Sequence, residues 1–502
     1  MKSRHIGLIV LIALIVLSSL GATGWLWTER HQLISTNATT QAEFTTLKEQ
    51  ITKADEVQDK NRQLQDQVTD LQDQIDAIEQ ATPLPSIPLT PADPIVPATP
   101  VDPSLPTPTP GGPGGVEPPA EMVQLMQRIE QEVIELRGLP EERPVERRFL
   151  TREELRAYIV SEMEKESTPD DYRHSGQELW LLGLGPKDLD LQTLFVDMQT
   201  EQIAGFYDPE TDTFYLVGDR PALAPVDQIT YAHEFDHNLQ DQVVDLNAGL
   251  EQNEFDADRA LAYRAVIEGD ATLLMSLWTQ TYLTNNLSQP ELLQLLQEIQ
   301  AQQEQSTVLD SAPTIVQAGL YFPYQEGLAF VQALYDQGGW PAVTAALSDP
   351  PTSTEQILHP EKYLSAQRDE PNLPVRFDLS AALGADWTTA TTSTLGEFDL
   401  RVLLEDTAAQ GDINAAAAGI GGIRYALYES GDQIPLLQLV ARWDTAADGD
   451  EFLQAFRSTL QGTGDVLRRD DVFVAIKNSG AEFTLLFSPD EAALRSALAA
   501  LP

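Results

Sequence analysis

The pattern of apolar and polar positions changes character along this chain, and each change predicts a different kind of element. Residues 6–27 form a stretch of 22 without a charged side chain, behind Lys2 and Arg4. As a helix that length spans about 30 Å of hydrocarbon. The basic N-terminus and the tryptophans at 25 and 27 predict a single-pass signal anchor over residues 1–28, with all that follows outside the cytoplasm. A cleaved signal peptide is the alternative, with an apolar region at 6–17 and a poor small-residue cleavage site at Gly21-Ala22-Thr23-Gly24.

Within residues 29–81 the apolar positions then repeat with 4,3 spacing. Asn61, Val68 and Ile75 take a positions, and Val57, Leu64, Leu71 and Ile78 take d positions. β-branched a residues, mainly Leu at d and one Asn are the pattern of a parallel two-stranded coiled coil, so a parallel homodimer is expected. A weakly associating helix is the alternative, because the seam covers only about three heptads. Residues 82–120 hold 14 of the 33 prolines and a Gly-Gly-Pro-Gly-Gly run. That composition predicts an extended spacer with a flexible joint.

From residue 121 the pattern becomes globular, and about 380 residues suffice for two cores. Thr151-Arg152-Glu153-Glu154 reads as a capping box opening a helix. Residues 203–217 read as a hairpin around a Pro-Glu-Thr-Asp turn. Asp227 is expected to cap a helix whose buried face carries Ile229, Ala232, Phe235, Leu239 and Val243. A long helix is expected over 253–283. After about residue 376 the reading shifts to strands at 424–428, 436–443, 466–476 and 482–487, with helices at 450–460 and 490–501. The expected class is α+β: a mainly helical domain with a small sheet (121–375), then a small α+β domain (376–502).

Composition narrows the chemistry. The net charge of −47 argues against nucleic acid as a partner, because phosphate binding needs basic surface. The absence of Cys removes disulfides and thiolate ligands. Only six histidines occur, yet two stand in His233-Glu234-Phe235-Asp236-His237. By frequency, H-E-x-x-H arises by chance in roughly one such chain in a hundred. On a helix its two His lie about 40° apart, and Glu234 sits roughly 80° to one side. Two imidazoles then form a chelating edge for Zn2+, with a general base beside it. A solvated surface helix is the bland alternative.

A catalytic zinc site needs a third protein ligand. Candidates are Glu268 in Ala265-Val266-Ile267-Glu268-Gly269-Asp270-Ala271 and Glu254 in Glu254-Phe255-Asp256-Ala257-Asp258. HEFDH followed by EGDA resembles the gluzincin metallopeptidases. More closely, Gly205-Phe206-Tyr207-Asp208-Pro209, HEFDHNLQDQ, EGDA and PTSTEQILHP resemble a family of bacterial extracytoplasmic HExxH proteins mostly known as predicted peptidases. The resemblance implies a zincin-like fold and Glu268 as third ligand, with Glu254 the runner-up. Asp236 departs from the pattern by adding a negative charge expected near the metal. Thr272 stands where many gluzincins have an Asp, and Asp270 lies about 200° round the helix from Glu268. Asp241 is a candidate partner for a ligand His, with an exposed helix acid as the plain alternative.

The expected activity is zinc-dependent peptide hydrolysis. Glu234 takes the proton of a water acidified by zinc, and no covalent intermediate is needed. Tyr321, Tyr324 and His359 are candidates for steadying the developing oxyanion. The hairpin offers an edge for an extended substrate, or is purely structural. The whole reads as a membrane-anchored metallopeptidase with its head in the periplasm or outside the cell, acting on protein or peptide substrates. A non-catalytic envelope assembly protein with a structural or degenerate zinc site is the alternative, and a zinc hydrolase of other substrates a third.

Overall fold

Two sheets of different make-up organise the folded chain. The computed structural model describes residues 114–502 apart from 219–221, 254–255, 284–285, 289, 293, 296, 299–306 and 408. The expected membrane segment, the heptad run, the spacer up to residue 113 and Glu254 lie outside the described residues. Among the described residues no helix is long and apolar enough to cross a membrane.

The first sheet has three strands, β1 (Glu146–Leu150), β2 (Gly205–Asp208) and β3 (Thr213–Val217), in the order β1-β3-β2. β1 runs parallel to β3, and β2 antiparallel to it. The helices around it are α1 (Ala120–Arg137), α2 (Arg152–Glu166), α3 (Pro169–Leu182), α4 (Leu191–Gln202), α5 (Pro225–Val243), α6 (Ala257–Trp278) and α7 (Thr314–Ser348). The hairpin follows from alternation. Phe206 pairs with Tyr215 and Tyr207 with Phe214, and successive strand side chains point to opposite faces. The first pair packs with Leu155 and Ile159 of α2 and Val196 of α4. The second packs with Met126 and Ile129 of α1 and with Ile229 and Phe235 of α5. Asp208 closes the turn, accepting the Glu210 N–H and the Thr211 hydroxyl, both at 2.9 Å.

α2 opens on the expected capping box: Thr151 Oγ1 accepts the Glu154 N–H at 3.1 Å, and Glu154 Oε2 accepts the Thr151 N–H at 2.8 Å. α5 does not start at a capping Asp227. Pro225 holds its first position, and Asp227, within the first turn, reaches back to accept the Ala224 N–H at 2.9 Å. Every residue from Ile229 to Gln240 is buried, so α5 is a core helix and not a one-faced one. Val243, expected inside, is exposed. α6 begins later than the 253 reading: Asp256 caps it by accepting the Arg259 N–H at 3.0 Å, and a π turn, Thr279–Leu283, follows it.

α6 and α7 cross at backbone contact. A Cβ on Gly269 would lie 2.3 Å from the Gly327 carbonyl oxygen, and one on Gly327 2.2 Å from that of Ala265. Only glycine fits at either position. Further along, α7 bends at Gly339, whose φ of 64° precedes Pro341.

After the short helix α8 (Thr354–Leu358) comes the second sheet, β4 (Trp387–Leu395), β5 (Ile420–Ser430), β6 (Pro435–Trp443), β7 (Val466–Arg469), β8 (Val472–Asn478) and β9 (Glu482–Ser488). Its order is β4-β5-β6-β9-β8-β7, antiparallel throughout. The longer helices that accompany it are α9 (Glu397–Asp406), α10 (Ala446–Arg457) and α11 (Glu491–Ala500). The expected single strand 466–476 is two, because Asp470 turns the chain with φ 50°. β4 was not foreseen. Its sequence, Trp-Thr-Thr-Ala-Thr-Thr-Ser-Thr-Leu, is β-branched but shows no apolar alternation.

One face of this sheet rests on α11, through Ala426, Tyr428 and Leu486 against Leu494 and Ala497. The other face shares a single apolar core with the first region. Ala262 and Val266 of α6 and Phe330 and Val331 of α7 belong to the same cluster as Leu403, Leu427, Leu439 and Phe452. Across this seam the Tyr425 hydroxyl donates to Glu178 Oε2 of α3 at 3.1 Å, while Glu178 Oε1 is buried without a partner among the described residues.

Burial pushes the Glu178 carboxyl up from 4.5 to about 7, against the opposing effect of the Tyr425 bond. A carboxyl with raised folded-state pKa supports the fold fully below its ordinary pKa and loses that support as pH climbs through about 7. Glu178→Gln, which keeps an acceptor for Tyr425, is therefore expected to raise the calorimetric melting midpoint at pH 8 and to change it little at pH 4. A lowered midpoint at pH 8 would contradict this account.

Candidate metal centre

The two histidines of α5 point into the space between α5 and α6. His233 and His237, one helical turn apart, place their Nε2 atoms 3.1 Å from each other. From α6, Glu268 Oε2 lies 3.4 Å from His233 Nε2 and 3.7 Å from His237 Nε2. These three form a buried group able to hold one ion. A point equidistant from three atoms so spaced lies about 2.0 Å from each, which is the bond length zinc makes to His nitrogen and carboxylate oxygen. Glu268 Oε2 has no hydrogen-bond partner among the described residues, as expected of a buried oxygen kept for an ion. The residues fit zinc. Glu268 is the acidic member of this group, and the other candidate, Glu254, lies outside the described residues.

Electrostatics suit the same role. Burial pushes His233 down to about 3, against the Ala271 backbone carbonyl that favours its proton. Burial likewise takes His237 down to about 4. Both rings are therefore neutral, the form in which imidazole binds a metal. Burial raises Glu268 to about 7, with His237, the Tyr324 hydroxyl and Arg264 pulling the other way.

Gln240 holds His237 in place. His237 Nδ1 donates to Gln240 Oε1 at 2.8 Å, which leaves the Nε2 lone pair free for the ion. The same amide nitrogen faces Asp236 Oδ2 at 3.1 Å, Asp270 Oδ2 at 3.2 Å and the Ile267 carbonyl at 3.0 Å. Arg137 of α1 completes the arrangement. Its guanidinium donates to both oxygens of Asp270, at 3.1 and 2.8 Å, and lies 3.6 Å from Asp236 Oδ1, with all three side chains fully buried. Arg137 also donates to Thr344 Oγ1 at 2.9 Å and stacks on Trp340, 4.6 Å from the ring centre.

This corrects two expectations. Asp236 faces Arg137 and Gln240 and is not a member of the candidate metal group. Burial and then Asp270 push its carboxyl well above the ordinary range. Asp241 is not the partner of a ligand His. It accepts the Leu246 N–H at 3.2 Å and pairs with Arg143 at 3.0 Å. Gln240, its neighbour, takes that role and was missed, because a Gln carries no signal of metal chemistry in a sequence.

Glu234 stands beside the cluster. Its Oε2 accepts the Tyr207 N–H of β2 at 3.0 Å, and its Oε1 has no partner among the described residues. Burial, then the nearby Glu268 charge, raise its proton affinity well above the usual carboxylate range. β2 is an edge strand, but all four of its residues are buried, so the open edge expected for a substrate strand is not there. The edge holds Glu234 instead.

The oxyanion candidates separate. Tyr324 is close, its ring 6.2 Å from that of His233 and its hydroxyl bonded to Glu268. Tyr321 packs against the Leu155 and Phe206 cluster. His359 does not belong to the metal group: its Nε2 lies 3.1 Å from Glu397 and 3.4 Å from Arg401 of α9. Glu397 is wholly buried, and its bond to the ring raises the His359 pKa, so this histidine ties α8 to α9. A second acidic group, Glu355, Asp369 and Asp444, already surrounds a cation, the Lys362 ammonium, at 2.6, 2.8 and 3.8 Å.

Comparison with known proteins reaches only the second sheet. A family model described as a domain of unknown function, DUF8575, matches residues 386–497, from the residue before β4 into α11. None of His233, Glu234, His237 and Glu268 falls within it. No curated protein and no solved structure matches the chain.

Proposed function

We propose that this protein is a zinc-dependent metallopeptidase in which His233, His237 and Glu268 hold the ion and Glu234 is the general base. The carrying observation is the convergence of three buried ligand atoms from two helices with a fourth, unliganded carboxylate oxygen beside them. Structural zinc sites are closed by four protein ligands, whereas catalytic ones keep a position open. Among the described residues the group has three members, which supports the catalytic reading over an assembly role.

When bound, zinc supplies Lewis acidity, polarising a carbonyl and bringing the pKa of water at its open position toward neutrality. The chain's own groups do the rest. Glu234, anchored through Oε2 by the Tyr207 amide, presents Oε1 to accept a proton from the attacking water and return it to the leaving amine. Its desolvated setting strengthens it as a base. Tyr324, bonded to Glu268 and beside His233, fixes the third ligand and offers a hydroxyl near the reacting carbonyl. His359 takes no part. Residues 1–120 serve in this reading as a membrane tether and spacer for a head facing away from the cytoplasm.

Three outcomes test the proposal. The purified protein should bind one zinc per chain, and Glu234→Gln should keep that zinc while lowering casein cleavage by about 10²- to 10⁴-fold. Unchanged turnover would remove Glu234 from its role. Glu268→Ala should lose zinc on dialysis at a chelator concentration the parent withstands, and full retention would reverse the ligand assignment. Gln240→Ala should weaken zinc by roughly 10- to 100-fold in competition with a chromogenic chelator, because His237 loses its orienting partner.

A further inference from the structure

Along α6, every residue from Ala262 to Met275 is buried except Arg264. A single exposed position in so long a buried run marks where solvent enters. Arg264 and Glu268 are four residues apart and so share one face of the helix, about 40° from each other. The water that reaches Arg264 therefore lies on the side of α6 that carries the third metal ligand, which itself keeps 6 % of its surface. The guanidinium is crowded by surrounding protein, and this crowding lowers its pKa against the pull of Glu268, Glu166 and Tyr324. Arg264 is thus the solvent-exposed position one helical turn before Glu268.

Its pairing sets it apart from the arginines of the centre. Arg137 is saturated by Asp270, Asp236 and Thr344, and Arg147 is bonded to Glu130 and Tyr231. Arg264 is ion-paired with no carboxylate among the described residues. Its neighbour Glu268 points the oxygen that counts, Oε2, at the two histidines. In a chain of net charge −47, an exposed cation one helical turn from Glu268 with no ion pair among the described residues is conspicuous.

We propose that Arg264 is a specificity residue that receives a peptide carboxylate, from an Asp or Glu side chain next to the scissile bond or from a free C-terminus, as the peptide lies across the metal cleft. The inference rests on the peptidase reading for its substrate. The planar fork of five N–H donors matches a carboxylate with two parallel bonds, and charge-assisted pairs of this kind are the strong ones. The acidic surface slows the approach of anionic peptides at low salt, while Arg264 acts at contact, so discrimination appears in affinity and not in encounter.

The test uses the full chain carrying Glu234→Gln, loaded with zinc, with and without Arg264→Gln. Fluorescein-labelled octapeptides carry a central Glu or Gln and end in a carboxylate or an amide, and binding is read by anisotropy. Glu234→Gln protein is expected to prefer one carboxylate form over its neutral twin by about tenfold. Arg264→Gln should bring that ratio to near one without loss of zinc, and Arg264→Lys should keep part of it. Which twin pair discriminates tells a side-chain carboxylate from a terminal one. An undiminished preference in the Arg264→Gln protein, or no preference in the parent, overturns the proposal. Discrimination by Arg264 in a protein whose unsubstituted form cleaves none of these peptides would uphold the carboxylate site and sink the peptidase reading alone.

Discussion

The Arg137 guanidinium, enclosed between Asp236 and Asp270, is the contact on which the arrangement of His233, His237 and Glu268 depends. Removing one partner of a buried charge group costs about 3–5 kcal/mol, because the charge left behind has no water to turn to. The two aspartates belong to the two helices that carry the candidate ligands, three residues after His233 and two after Glu268. One cation from α1 thus fixes the rotation of α5 and α6 together. The ligand atoms come within 3.1 to 3.7 Å of one another as a result of that lock and of the glycine crossing behind it.

The lock also explains the departures from the motif. An acid inside H-E-x-x-H and another in the downstream string read, one at a time, as charges placed badly near a metal. Together they are one buried unit with Arg137 and Gln240. The Gln240 amide joins the two functions, holding His237 with its oxygen and the aspartate pair with its nitrogen.

What could be read in advance was local. The spacing of His233, Glu234 and His237, the downstream Glu268, the capping box at Thr151 and the 203–217 hairpin are each set by neighbours within a few residues. Arg137, 133 residues from Asp270, carries no such mark, and its role exists only once α1 packs on α5. β4 escaped because a threonine-rich edge strand lacks apolar alternation, and the turn at Asp470 because a single left-handed residue splits what otherwise reads as one strand. His359 is the opposite case. A histidine beside a proline looks available until Glu397 and Arg401, some 40 residues on, are brought against it.

Residues 365–379, between the short helices after Pro351 and β4, carry the most exposed large apolar side chain of the described chain, Val375 at 84 %, and Phe377 at 43 %. The core beneath them is continuous, joining α6 and α7 to the second sheet through the cluster that holds Val266, Phe330, Leu427 and Phe452. A nick in that strap would sever the polypeptide without parting the fragments. The clipped molecule would migrate at its original size in native chromatography and fall into two bands only in detergent, so integrity of this protein is better judged under denaturing conditions than by elution volume.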